Sequence, residues 1–304
     1  MVSSMLDFSL ALVPGRVSQG DVRQVLASWP NNCADLIIAD PAYGLGKADW
    51  DIRPDYGQWL LDALRVLKTT GTAYIFGLPE VIAAHWTSFP APKRLLTWAV
   101  SNRVSPACKT WQPTQEAIVM LTKDRPFFDR EAVREPFTAD YARHKGKTRP
   151  ATPGRFGSRA TSYSSAAGAL PRDVLRGPGL SGRVGARESL GHPCQKPLWL
   201  MERLIRASAP PDGLVLDLFA GAATASLAAH RLCRHWIAVE RDPHWCQVAL
   251  ERLRREGAQA SLSVFQDPSQ ELRAWKVSIE KELAGLKEVV AQLRGGLPDG
   301  HTSV

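Results

Sequence analysis

The sequence predicts a mainly parallel α/β sheet wrapped by helices and interrupted midway by a long basic insertion. Three observations carry that expectation. Short continuous apolar runs such as Ala34–Ala39 (ADLIIA) alternate with amphipathic stretches, the rhythm of strands buried on both faces and joined by crossover helices. The rhythm stops between residues 125 and 190, where Gly, Ser, Pro and Arg dominate and apolar periodicity is weak. It resumes near residue 191 and continues to about residue 260.

The elements follow in order. The stretch DVRQVLASW reads as a helix start capped by Asp21. Tyr56–Lys68 places Trp59, Leu60, Ala63, Leu64 and Leu67 on one helical face, with Gly71 as its stop. Strands are expected at Thr72–Phe76, Arg94–Val100 and Gln115–Thr122. Beyond the insertion, Leu198–Ser208 is an amphipathic helix, Leu214–Leu218 a strand, Ala222–Cys233 a helix and Trp236–Val239 a strand. Pro243–Glu256 is a helix starting from an Asp242 cap. Four segments result: 1–124, 125–190, 191–260 and a tail, 261–304. In the tail, Leu272, Trp275, Ile279, Leu283, Leu286, Val290 and Leu293 recur at spacings of 3 and 4. That stripe suits a dimerising coiled coil or a helix packed on its own domain, and both readings stand.

Composition narrows the class. A chain of 304 residues with 44% apolar and 22% charged residues is an ordinary globular polymer, not a disordered one. No window approaches 18 uninterrupted apolar residues, so no membrane span is expected. The start, MVSSMLDFSLALVPG, has neither the basic opening nor the cleavage site of a secretory signal. Five scattered cysteines without a CxxC pair suggest neither a disulfide framework nor a structural zinc, and a cytoplasmic setting is expected. The net charge is +8, and residues 125–190 alone hold 13 Lys/Arg against 6 Asp/Glu. Such a block, including Arg143, Lys145, Lys147 and Arg149, suits a polyanion or a solvated surface.

Two constellations carry chemistry. Asp40-Pro41-Ala42-Tyr43 follows the apolar strand directly, at the strand end where open α/β sheets keep their ligands. Asp40 and the Pro41 carbonyl can accept hydrogen bonds from an exocyclic amine, and Tyr43 can stack on a flat ring. The second runs from Leu214 to Glu240: a strand ending in Asp217, a small-residue turn through Phe219, Ala220 and Gly221, a helix, and a strand ending in Glu240. This is the logic of a nucleoside-binding βαβ unit, in which the second acid takes ribose hydroxyls. Gly221 is the one glycine of that turn, so a phosphate-free nucleoside fits better than a dinucleotide.

Together these strings resemble the DNA methyltransferases that methylate exocyclic amines, N6 of adenine or N4 of cytosine. Asp40-Pro41-Ala42-Tyr43 is similar to their catalytic motif, with Ala42 in place of a second proline. Phe219-Ala220-Gly221-Ala222-Ala223 is similar to their cofactor motif, with Ala223 in place of a second glycine. The catalytic string precedes the cofactor string, which marks the β class. The resemblance therefore implies a circularly permuted, Rossmann-like, doubly wound methyltransferase sheet, with 125–190 as target-recognition region and a helical tail. It assigns Gly20-Asp21 to the cofactor adenine and His192-Pro193-x-x-Lys196-Pro197 to the methionine end of S-adenosylmethionine. Asp217, Phe219, Gly221, Thr224 and Glu240 complete the implied cofactor site. Trp98, Asn102 and Glu116 fall where the family lines its target-base pocket.

The implied activity is direct in-line transfer of a methyl group from S-adenosylmethionine to N6 of a flipped-out adenine in double-stranded DNA. A homodimer and a companion restriction endonuclease are further implied partners. N4-cytosine methylation, an RNA or protein-amide substrate, and a catalytically degenerate DNA-binding protein remain open. Pro193-Cys194 also matches the nucleophile dipeptide of C5-cytosine enzymes, but it precedes the cofactor string and overlaps the Lys196 motif, so Cys194 reads better as packing.

Overall fold

The computed structural model describes residues 12–46, 51, 55–90, 92–105, 107–139, 143, 147–152, 159–162 and 168–265. The chain divides into two units, Met1–Ser263 and Val264–Val304. The heptad stripe 272–293 lies outside the described residues. Among the described residues, no helix is long and apolar enough to cross a membrane.

The strands are β1 (Arg16–Gln19), β2 (Ala34–Ala39), β3 (Leu67–Gly77), β4 (Lys93–Val100), β5 (Gln115–Thr122), β6 (Thr148–Thr152), β7 (Arg159–Ser162), β8 (Val174–Gly177), β9 (Leu214–Asp217), β10 (His235–Glu240) and β11 (Ser261–Val264). Among the described residues, nine form one sheet in the order β11-β1-β10-β9-β2-β3-β5-β4-β8, and β6 and β7 form a separate antiparallel pair. The helices are α1 (Val22–Ala27), α2 (Leu60–Val66), α3 (Pro79–Ala84), α4 (Gly182–Gly185), α5 (Leu198–Ser208), α6 (Thr224–Arg231) and α7 (Pro243–Arg255).

β2 is buried along its whole length because a neighbour covers it on each side and core packing covers its faces. Its parallel partners are β3 and β9. β9 continues the parallel run to β10, and β10 to β1. The chain leaves β2 towards β3 but leaves β9 in the opposite direction, towards β10. Strand order therefore reverses between β2 and β9, and a crevice opens at their carboxyl ends. The one acid inside ADLIIA is part of this join: Asp35 accepts the Leu214 N–H at 2.9 Å, at the start of β9, and both its oxygens accept from Lys68 Nζ.

Several elements differ from expectation. The helix expected over Tyr56–Lys68 is a single 3-10 turn at Tyr56–Gln58 followed by α2, which ends at Val66. Gly71 does not stop it; Gly71 lies inside β3. Leu67 already pairs with Ala34, and the β2–β3 register shifts between Ala34 and Leu36, so the added strand pairing ends the helix early. The sheet is parallel only in part, since β5 runs antiparallel to both β3 and β4. β8, from the segment read as insertion, pairs in parallel with β4 and buries Leu175. Short β1 and α3 carry too little periodicity to stand out in sequence.

Local caps match the residue chemistry. Asp21 caps α1 through the Arg23 N–H at 2.9 Å, and Asp242 caps α7 through the His244 N–H at 2.8 Å. α6 begins at Thr224, not Ala222, because Ala223 sits in the left-handed region at φ 54°. That conformation is unfavourable for a residue with a Cβ, and the glycine of the family pattern would take it without strain.

The Asp35 join predicts a separation of two variants. Asp35→Ala leaves the Leu214 N–H without its acceptor and lowers unfolding stability by about 1–3 kcal/mol in denaturant titrations. Asp35→Asn keeps an acceptor oxygen and loses mainly a half-exposed ion pair, so its loss is below about 1 kcal/mol. Equal losses in the two variants contradict this role.

Candidate active site

The carboxyl ends of β1, β10, β9 and β2 open onto a cavity of about 410 Å³. Each strand delivers an acid at or just beyond its end: Asp21, Glu240, Asp217 and Asp40 line the wall. The register sets their spacing, with Asp217 opposite Ile38 on one side and Ala238 on the other, and Glu240 opposite Gln19. The segment His192–Lys196, Trp59 and Trp245 close the cavity.

The turn after β9 uses its own backbone donors. Gly221 N–H donates to Glu240 Oε2 at 2.7 Å, Ala223 N–H to the Ala220 carbonyl at 2.7 Å, and Ser226 N–H and Oγ–H to Asp217 Oδ2 at 3.1 and 3.0 Å. Glu240 Oε1 also accepts the Asp242 N–H at 2.8 Å. Three of the backbone donors of this stretch, those of Gly221, Ala223 and Ser226, are thus already used within the protein. Burial pushes the Asp217 carboxyl up to about 7, against the opposing effect of the Ser226 bonds. Burial raises Glu240 as well. Both acids therefore favour a ligand that brings hydroxyls or positive charge.

Gly221 has a further reason to be glycine. Its φ is +49°, and a Cβ there would lie 2.9 Å from His192 Nε2. The His192 ring stands edge-on to Trp245 with centroids 4.5 Å apart, and its Nδ1 accepts the Cys194 N–H at 3.2 Å. Burial, reinforced by Lys196, lowers His192 to about 4, so the ring is neutral at pH 7 and its proton is on Nε2.

The Asp40 loop carries the densest polar network. Tyr43 Oη donates to Asp40 Oδ1 at 2.8 Å, and Lys196 Nζ donates to Asp40 Oδ2 at 2.6 Å. Glu116 joins on the far side: its Oε2 lies 3.2 Å from Tyr43 Oη and 3.4 Å from Lys196 Nζ, and its Oε1 accepts from Arg103 at 2.6 Å. Burial would lower Lys196, but the two carboxylates more than reverse this and raise it. Asp40 is raised by burial, with Lys196 pulling the other way. Glu116 is lowered: burial raises it, but Lys196 and Arg103 together outweigh that. The backbone of the loop is fixed by Asp51, which accepts the N–H groups of Tyr43, Gly44 and Leu45 at 3.0, 2.8 and 3.0 Å. These bonds hold the loop where Ala42 stands in place of the family's second proline.

The cavity thus gathers Asp21, Asp40, Pro41, His192, Lys196, Asp217, Phe219, Gly221, Thr224 and Glu240 from both ends of the sequence. Within it, Asp21 is chelated by Arg23, Phe219 packs edge-on against Trp59 at 5.2 Å, and Thr224 Oγ1 accepts from Arg252 at 2.9 Å. Tyr43 is buried behind Asp40, with Lys196 Nζ 5.1 Å from its ring centroid, and is not on the cavity wall. The Lys196 ammonium points at Asp40. Trp98 and Asn102 brace the neighbouring segment, through the Gly177 carbonyl and through Gly179. Arg143 and Lys147 are exposed, Arg149 lies on β6, and Lys145 lies outside the described residues. Asp51, Arg103 and Trp245 do not stand out in the sequence, and Trp59 stands out only as part of a helical face, since each acts through contacts that no local pattern encodes.

The residues fit S-adenosylmethionine: a strand-end cavity with carboxylates for hydroxyls and a cation, and aromatic edges for a flat base. The comparisons agree. A family model described as DNA methylase, for the N6/N4 methyltransferases, matches residues 34–251. The chain is 27% identical over 259 residues to the Type II methyltransferase M1.MboII of Moraxella bovis, covering 77% of this chain and 94% of that protein. It is 28% identical over 254 residues to the DNA adenine methyltransferase YhdJ of Escherichia coli (strain K12), covering 78% and 82%. The fold matches the M1.HpyAVI–SAM complex with a TM-score of 0.53 at 20% identity, over 78% of this chain and 98% of that one. It matches the cytosine-N4-specific PvuII DNA methyltransferase with a TM-score of 0.52 at 20% identity, over 78% and 87%. The chain belongs to the N6/N4 DNA methylase family: it is an amino-methylating DNA methyltransferase that uses S-adenosylmethionine.

Proposed function

We propose that the protein methylates N6 of an adenine extruded from duplex DNA, with Asp40 as the group that receives the amine. The observation that carries this reading is the anchoring of both Asp40 oxygens, by Tyr43 and by Lys196, beside the cavity. A carboxylate has about four acceptor sites. Two are used here, so Asp40 keeps capacity for an exocyclic N–H.

The exocyclic amine is a poor nucleophile because its lone pair is delocalised into the ring. Hydrogen bonds from its protons to Asp40 and the Pro41 carbonyl favour a more tetrahedral nitrogen with a localised lone pair. Asp21, Asp217, His192, Phe219, Gly221, Thr224 and Glu240 would hold S-adenosylmethionine, which supplies a methyl group already activated by the sulfonium charge. The chain's own contribution is then positioning and a fixed electrostatic field, with no covalent enzyme intermediate. Lys196 serves Asp40 in this scheme, by fixing its orientation and favouring its ionised form. An amine inside a duplex cannot reach Asp40, so the base leaves the stack first. Stacking on Tyr43 would need that ring to leave its buried position.

Adenine is favoured by aspartate at the first motif position and by the adenine relative YhdJ. N4-cytosine is the second reading: it presents the same amine chemistry, and the PvuII enzyme shares the fold. Nucleoside mass spectrometry of genomic DNA incubated with the protein and labelled S-adenosylmethionine separates the two. N6-methyladenine is expected, and N4-methylcytosine overturns the base assignment. Asp40→Ala is expected to lower methyl transfer about a hundred-fold or more while cofactor affinity by calorimetry is retained. Activity near wild type would contradict the assignment.

The basic segment is proposed to hold DNA phosphates. Charge reversal at Arg143, Lys145, Lys147 and Arg149 should reduce the slope of log affinity against log salt by about 0.9 per lost phosphate contact. An unchanged slope would leave the segment as surface charge.

A further inference from the structure

Trp111 stands apart from the other large apolar side chains. It is 96% exposed, the most exposed large hydrophobic residue of the described chain. It lies in the connection between β4 and β5, and strand register places that connection beside the site. β5 runs antiparallel to β3, with Gly77 at the end of β3 opposite Ala117. The connection therefore leaves the sheet at the carboxyl end of β2 and β3, the end that carries Asp40.

The loop is braced from within. Val100 N–H donates to the Thr114 carbonyl at 2.8 Å, Ser105 N–H to Gln112 Oε1 at 3.0 Å, and Cys108 N–H to the Ser105 carbonyl at 2.9 Å. Cys108 Sγ donates to the Trp111 carbonyl at 3.4 Å. Lys109, two residues away, is exposed. At the loop's root, Arg103 is paired to Glu116, which contacts Tyr43 and Lys196, the two groups that hold Asp40. A braced loop with a bare indole and a nearby cation, rooted in the catalytic network, matches the chemistry of an opened base stack: flat faces to cover and phosphates alongside.

We infer that Trp111 enters the DNA stack beside the target, its indole occupying the space left by the extruded base, with Lys109 on a flanking phosphate. This rests on the base extrusion proposed above. Loss of one base's worth of aromatic stacking corresponds to about a five- to hundred-fold effect.

The test uses full-length protein and a duplex carrying the sequence that wild type labels in genomic DNA. A second duplex places an abasic site opposite the target base, so that extrusion no longer breaks a base pair. Trp111→Ala is expected to lower kcat/KM about five- to hundred-fold on the matched duplex and much less on the abasic duplex, with cofactor affinity unchanged. Trp111→Phe, which keeps a stacking ring, is expected to recover most of the loss. With 2-aminopurine at the target, the fluorescence rise on wild-type binding should be weakened in Trp111→Ala. Equal losses on both duplexes would make Trp111 a general contact, and no loss on the matched duplex would remove it from the reaction; either overturns the inference. No 2-aminopurine fluorescence rise with wild type, on a sequence that it labels, would instead defeat the extrusion reading itself.

Discussion

The structure depends on one buried ion pair. Lys196 Nζ lies 2.6 Å from Asp40 Oδ2, and both side chains are largely withdrawn from water. Neither charge would be tolerated there alone, since an unpaired buried charge costs several kcal/mol. The pair is completed by a second, Arg103 on Glu116, with Tyr43 Oη bridging the two carboxylates. Two cations thus face two anions across four chain segments: the loop after β2, β5, the β4–β5 connection and the approach to α5. Because each cation stabilises the acids beside it, these segments hold one another in place as well as holding Asp40.

The sheet explains how these segments meet. β2 and β9 come from distant parts of the sequence yet lie side by side, so the acids that end them share a cavity. The order of the two motifs along the chain has no bearing on that geometry. Asp51 then fixes the loop backbone, and Asp35 fixes the join between the two central strands. Ala42 and Ala223 are the two departures from the family pattern: the Asp51 bonds hold the loop around the first, and the second keeps the left-handed backbone that a glycine would take without strain.

Much of the site was legible because its residues sit at strand ends, where an apolar run followed by an acid is a readable pattern. Asp40, Asp217 and Glu240 belong to that class, and Asp21 and Asp242 were readable as caps. What the sequence did not show were partners distant in the chain. The motif places Lys196 at the cavity, where it stands, but its bond to Asp40 depends on a partner far away in the chain. The motif offers Tyr43 as a stacking ring, but that its hydroxyl bonds Asp40 beside Glu116 depends on the fold. Gly71 looked like a helix stop because its role in strand pairing depends on β2. β8 went unseen because four residues in a Gly- and Arg-rich segment carry no periodicity, and only its pairing with β4 defines it.

The central claim is that Lys196 keeps Asp40 ionised for the incoming amine. The direct test is the pH dependence of kcat for Lys196→Met at saturating S-adenosylmethionine. Burial raises Asp40, and the ammonium opposes that rise. Its removal should raise Asp40 further, so the acid limb of the profile should move to higher pH by more than about one unit. A lower kcat with the acid limb unmoved would contradict the account and return Lys196 to a role that does not pass through Asp40.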